Sequence, residues 1–185
     1  MQTAPRHQAL SETATYDVES GELRVVIETP KESRNKYRYD TETGCLEFGF
    51  VLPAGMRFPF DFGFLPSTLG EDGDPLDVLV LMDDPVVPAC VIRTRLIGAI
   101  EARQKAKGKD WERNDRLIAV ASHAQTHADV RTLADLRPRL VEEIREFFVT
   151  YNRMREREFE PLGDAHPNRA RELVEAGRKT FKERR

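Results

Sequence analysis

The sequence predicts an α+β fold, strands first and helices last, built as a small barrel or closed sheet with helices packed on it. Two observations carry this. Val- and Ile-rich segments of strand length recur between Glu22 and Ser122, and from about residue 132 the apolar spacing changes to that of a helix. Size agrees: 185 residues, 39% hydrophobic and 33% charged, supply one core and argue for one domain or one domain with an appended element.

Residues 1–15 mix Gln, Thr, Pro, Arg, His and Glu with scattered apolar side chains and read as a flexible N-terminal tail. Leu23, Val25 and Ile27 then alternate with polar residues, apart from Val26, as in a strand with one face well buried. Segments 36–40 and 45–50 flank Thr41-Glu42-Thr43-Gly44, a short polar connection ending in Gly that predicts a hairpin. Segments 77–82, 91–103 and 115–122 give three more strands. Between the hairpin and residue 77, Pro53, Gly55, Pro59, Gly63, Pro66, Gly70, Gly73 and Pro75 break any regular pattern and predict a long loop. Phe58, Phe60, Phe62 and Phe64 make it an ordered one, since their rings are costly to leave in water. Leu136, Leu140, Ile144, Phe147, Phe148 and Tyr151 share one helical face, with Asp135 as N-cap and Pro138 in the first turn. Ala170, Leu173, Val174, Gly177 and Phe181 mark a second helix from Pro167 or Asn168. The expected division is a tail (1–15), a barrel domain with its packed helix (16–163) and a C-terminal helical extension (164–185).

Composition excludes several roles. The longest apolar run, residues 78–82, is five residues against the roughly 20 that cross a bilayer, so no membrane span is expected. The first fifteen residues lack the apolar core of a signal peptide. Cys45 and Cys90 are too few for a disulfide scaffold, read as small core residues, and suit a reduced, cytoplasmic setting. A net charge of −3 gives no general attraction to nucleic acid or acidic lipid.

Chemistry concentrates in Asp72-Gly73-Asp74-Pro75-Leu76-Asp77, where three carboxylates fall within six residues. Charges this close repel one another, and a divalent cation with a preference for oxygen relieves the repulsion. The EF-hand spacing is absent. A solvated acidic turn is the plain alternative, but the Phe-rich approach and the apolar strand that follows place the acids at the mouth of a cleft.

The string from Asp72 to Val78 resembles the signature of the soluble family I inorganic pyrophosphatases. Val25-Val26-Ile27-Glu28-Thr29-Pro30, Asn35-Lys36-Tyr37, Phe58-Pro59-Phe60-Asp61-Phe62-Gly63-Phe64, Val91-Ile92-Arg93, Leu117-Ile118-Ala119-Val120 and Phe147-Phe148 with Tyr151 are similar to its other segments, in the same order. The resemblance covers roughly residues 22–151 and implies a closed five-stranded β-barrel of the OB type with two or three C-terminal helices. It further implies hydrolysis of pyrophosphate with several Mg²⁺ ions, for which Mn²⁺ or Zn²⁺ are possible substitutes. On that resemblance Asp72 and Asp77 are metal ligands, and Asp74 holds or deprotonates the attacking water. Lys36, Tyr151 and Arg116 contact phosphate, and Glu28 stands behind the ligands. A homo-oligomer is implied as well.

The sequence departs from the family pattern in places. Two metal-binding carboxylates read Gln104 and Asn114; Asp110 and Asp115 are the nearby acids that can stand in through a local shift, and Asp115 is taken as the ligand, although adjacent strand positions face opposite ways. A glutamate becomes Arg38, which brings positive charge to the substrate directly. An arginine reads Phe50, a tyrosine Phe62 and a lysine Asn152. These departures frame a rival: a catalytically weakened homologue acting on or binding another phosphoanhydride. A second rival is single-strand nucleic-acid binding by the barrel, with the phenylalanines as a stacking platform; the aspartates oppose it, and no nucleic-acid partner is expected. His123 and His127 are spaced i, i+4 but lack an accompanying Glu, so no zinc site is read there.

Overall fold

The structure, a computed structural model, describes residues 9–184; residues 1–8 of the expected tail lie outside the described residues. The strands are β1 (Leu23–Thr29), β2 (Asn35–Asp40), β3 (Cys45–Val51), β4 (Asp61–Phe64), β5 (Asp77–Leu81), β6 (Val91–Ala106), β7 (Glu112–Arg113), β8 (Arg116–Ala121) and β9 (Arg157–Ala165). The helices are α1 (Pro138–Arg153) and α2 (Pro167–Glu183). Strands β1, β4, β5, β8 and β6 follow one another in the sheet, and β6 pairs back onto β1, so five strands close into a ring. β5 and β8 run parallel; the other pairs in the ring are antiparallel.

The core fills this ring and the space beneath α1. Val25 and Ile27 of β1, Leu79 and Leu81 of β5, and Ile118 and Val120 of β8 are all fully buried. The side chain that broke the alternation, Val26, faces outward into a second small cluster with Tyr39 of β2 and Phe64 of β4. The β2–β3 hairpin covers the ring there, so β1 is buried on both faces. Gly44 turns that hairpin in the left-handed region, φ +71°.

Five expectations change. Residues 9–15 are docked: Ser11 and Thr15 are buried, and the Leu10 N–H donates to the Tyr39 hydroxyl at 3.2 Å. The loop expected between hairpin and aspartates contains β4, because Gly63 marks a close approach of two strands instead of a turn. A Cβ at Gly63 would lie 1.9 Å from the Val26 carbonyl oxygen. β9 was hidden by Pro161 and Gly163; it pairs with β6 through a register shift that accommodates them, and the expected 163/164 boundary falls inside it. Asp135 accepts from the N–H groups of Arg131 and Thr132 in a short 3₁₀ turn, and α1 starts one turn later with Pro138 as its first residue. Cys45 is exposed on β3 instead of packed in the core, and both cysteines are free.

Candidate active site

The loop between β4 and β5 is pinned at both ends. The Gly70 N–H donates to the Asp74 carbonyl at 2.8 Å, Gly73 takes φ +84°, and the Asp72 carboxylate accepts from the Asp74 N–H at 3.2 Å. From behind, α2 buttresses it: the Leu69 N–H donates to the Gly177 carbonyl at 3.0 Å, and Leu76 packs against the bare Gly177 backbone. Asp72, Asp74 and Asp77 are thereby held close enough to act on one another electrostatically. Burial, reinforced by the charges of Asp77 and Asp74, pushes the Asp72 carboxyl up to about 6. Burial also raises Asp77, against the pull of Arg116 and Lys36. A cleft of about 210 Å³ runs between this loop, Asn114 and α2.

Each aspartate has a partner supplied by another element. Arg116, at the start of β8, lies 2.7 Å from Asp77 with its own side chain only 4% exposed. The same guanidinium bonds the Asn114 side-chain oxygen, and the Asn114 amide donates to Asp72 at 2.9 Å. Arg38 on β2 reaches the exposed Asp74 at 2.8 Å. Beside them Lys36 and Glu28 form a buried pair at 2.6 Å, and Glu28 accepts in addition from the Tyr39 N–H at 2.7 Å. The Lys36 ammonium sits 4.5 Å above the Phe62 ring. Tyr151, on the last turn of α1, is buried among Phe50, Phe58 and Phe147 and lies within the field of Asp77 and Arg116. Burial raises its pKa, so its hydroxyl stays protonated and able to donate.

Eight of the nine residues named from the sequence, Glu28, Lys36, Arg38, Asp72, Asp74, Asp77, Arg116 and Tyr151, thus form one group linked by ion pairs and charge. Asp115 borders the same cleft as Asp72 and Asp77, but its carboxylate is engaged elsewhere: it accepts from the Ala102 N–H at 2.8 Å and pairs with Arg113 at 2.8 Å. Gln104 is buried and donates to Glu112. Sequence reasoning missed the bridging role of Asn114, which is visible only once β8 is placed beside the aspartate loop. It also missed Asp61, a wholly buried carboxylate that accepts from the N–H groups of Lys31 and Val86 and ties the loops after β1 and β5 to the start of β4. The four phenylalanines at 58, 60, 62 and 64 are buried at 9% exposure or less, so they offer no stacking platform to nucleic acid. His127 packs edge-on against Phe60.

The donor set suits a hard divalent cation. Asp72 and Asp77 present carboxylate oxygens that retain mutual repulsion despite Arg116, and Mg²⁺ is held elsewhere by one or two carboxylates with waters and phosphates completing its shell. No group of three or more His, Cys, Asp or Glu able to hold a metal occurs among the described residues.

Comparison with known proteins agrees with this geometry. The family model described as inorganic pyrophosphatase matches residues 25–182. An inorganic pyrophosphatase of Synechocystis is 36% identical over 163 residues, 88% of this chain and 94% of that one. One from Corynebacterium glutamicum is 39% identical over 129 residues, 70% of this chain and 78% of its own. The crystal structure of inorganic pyrophosphatase from Thermus thermophilus superposes with a TM-score of 0.85 at 31% identity, covering 95% of this chain and 99% of that one.

Proposed function

This chain belongs to the inorganic pyrophosphatase family, and from that membership we propose that it hydrolyses pyrophosphate to two phosphates where the aspartate loop, β2, β8 and the end of α1 meet. The observation that carries the reading is the interleaving of charge. Asp72, Asp74 and Asp77 stand among Lys36, Arg38 and Arg116, so one cluster of side chains offers ligands to a cation and counter-charge to a small polyanion.

Roles follow from position. Asp74, the most accessible of the three acids, takes the proton of the attacking water as its oxygen bonds to phosphorus and the bridging P–O bond breaks, the electron pair leaving with the departing phosphate. Arg38 then turns from Asp74 to the phosphate. Lys36 and Arg116 oppose the charge that builds on the phosphoryl oxygens, and the protonated Tyr151 donates to one of them. Asp72 and Asp77 would hold a divalent cation, which we take to be Mg²⁺ with Mn²⁺ or Zn²⁺ as substitutes and which would supply neutralisation of phosphoryl charge and a lowered pKa for a coordinated water. The bare-backbone contact of Leu76 with Gly177 keeps the loop in place meanwhile.

The second reading, a weakened homologue that binds phosphoanhydrides without turning them over, is favoured by one observation. Asn114 and Gln104 stand where the family has carboxylates, and both are already committed to protein partners. A phosphate-release screen over pyrophosphate, triphosphate and nucleoside triphosphates, with and without Mg²⁺, Mn²⁺ or Zn²⁺, separates the two. Cation-dependent release from pyrophosphate is expected; tight binding without release selects the second reading. A cytoplasmic setting, on the free Cys45 and Cys90, and self-association, on the exposed Phe48 and Val51 of β3, belong to the same proposal. No described helix is long and apolar enough to cross a membrane.

A further inference from the structure

Two phosphate-binding cations of the family pattern are missing from this sequence, read as Phe50 on β3 and Asn152 on α1. The structure shows what became of both places. Asn152 is 1% exposed, and its side-chain amide donates back to the Phe148 carbonyl at 2.9 Å, so it is folded into its own helix and faces no substrate. Phe50 lies against Tyr151 with ring centroids 5.8 Å apart. Between and above these two rings sits a cation from elsewhere, Arg155. Its guanidinium is 4.9 Å from the Phe50 ring and 5.4 Å from the Tyr151 ring, and it donates to the Tyr151 hydroxyl at 3.3 Å.

Arg155 has the properties of a ligand-binding group. It is solvent-exposed, and among the described residues no carboxylate forms an ion pair with it. That sets it apart from Arg38 and Arg116, which each hold an aspartate. Stacking on two rings removes much of the rotamer freedom that a long side chain would lose on binding, which lowers the entropic cost of a phosphate contact. Its place follows from local structure. Tyr151 and Arg155 are four residues apart, and the chain continues helically through Met154, whose N–H donates to the Thr150 carbonyl. Glu156, at φ +56°, then turns the backbone away. Arg155 is thus held over Tyr151 at the point where α1 ends.

We propose that Arg155 is a substrate-binding residue of this chain, contacting a terminal phosphate next to the Tyr151 hydroxyl and standing in for the cations absent at positions 50 and 152. The inference rests on the pyrophosphatase reading above and adds a residue to it. A guanidinium suits the role because its fork of donors engages two phosphate oxygens at once.

The test compares wild type with Arg155→Met and Arg155→Lys by calorimetric binding of imidodiphosphate, a non-hydrolysable analogue, and by steady-state phosphate release from pyrophosphate. Arg155→Met is expected to weaken imidodiphosphate binding about tenfold and raise KM in step, with Arg155→Lys recovering part of the loss. Analogue affinity and KM both within twofold of wild type in Arg155→Met would overturn the assignment, as would a lowered Tm with unchanged affinity. Failure of the pyrophosphatase reading gives a different result: no phosphate release from wild type, while the calorimetry still reports whether Arg155 holds the analogue.

Discussion

The Arg116 guanidinium lies 2.7 Å from the Asp77 carboxylate and also grips the Asn114 side chain, whose amide holds Asp72 at 2.9 Å. Two of the three aspartates are therefore tied through one buried arginine. Replacing Arg116 by Met leaves Asp77 without its counter-ion and should cost about 3 kcal/mol of stability in the cation-free protein. Urea denaturation measures it, and added Mg²⁺ should return part of the loss. An unchanged midpoint would show that the pair carries no weight.

Lys36 and Glu28 form the more buried pair, 2.6 Å apart with side chains 11% and 9% exposed. Lys36→Met strands the Glu28 carboxylate and is expected to destabilise by about 3–5 kcal/mol. The double variant Lys36→Met/Glu28→Gln should recover most of it, because Gln still accepts from the Tyr39 N–H. Denaturation of the three proteins side by side reads the coupling.

Gly177 makes α2 part of the site. A Cβ there would lie 2.7 Å from Leu76 Cδ1, so Gly177→Ala must push Leu76, which sits between Asp74 and Asp77. The expected cost is about 1–3 kcal/mol, with slower phosphate release. Adding Leu76→Ala removes the clash and should restore the rate towards that of Leu76→Ala alone. If Gly177→Ala changes neither rate nor stability, the helix does not set the loop.

Asp83 ties down the 125–126 turn: its carboxylate accepts from the N–H groups of Gln125 and Thr126 and from the Thr126 hydroxyl, which together lower its pKa to about 2. A folded pKa below the unfolded value of 3.8 stabilises fully above that value and is lost as pH falls from about 4 towards 2. Amide exchange at Gln125 and Thr126 should accelerate across that window more than exchange in β5. Asp83→Asn should make the turn exchange fast already at neutral pH.

What the sequence disclosed, and what it withheld, has a physical pattern. β5 and β8, buried on both faces as a parallel pair, show near-continuous apolar runs, and α1 shows its stripe, so these elements were legible. Gly63 and Pro161 ordinarily mark turns, yet here they serve close strand contact and a register shift, so β4 and β9 were not. The aspartates, Lys36, Glu28 and Tyr151 could be named from a resemblance because local spacing carries them. Asn114 and Arg155 could not, since their roles depend on β8 lying beside the aspartate loop and on α1 ending above Phe50.

The hydrolytic role of the aspartate trio is tested most directly by phosphate release from pyrophosphate in Mg²⁺, wild type against Asp72→Asn, Asp74→Asn and Asp77→Asn, each checked for folding by circular dichroism. Release by the folded variants should fall by about a hundredfold or more. Wild-type rates in all three would contradict the assignment of chemistry to this loop.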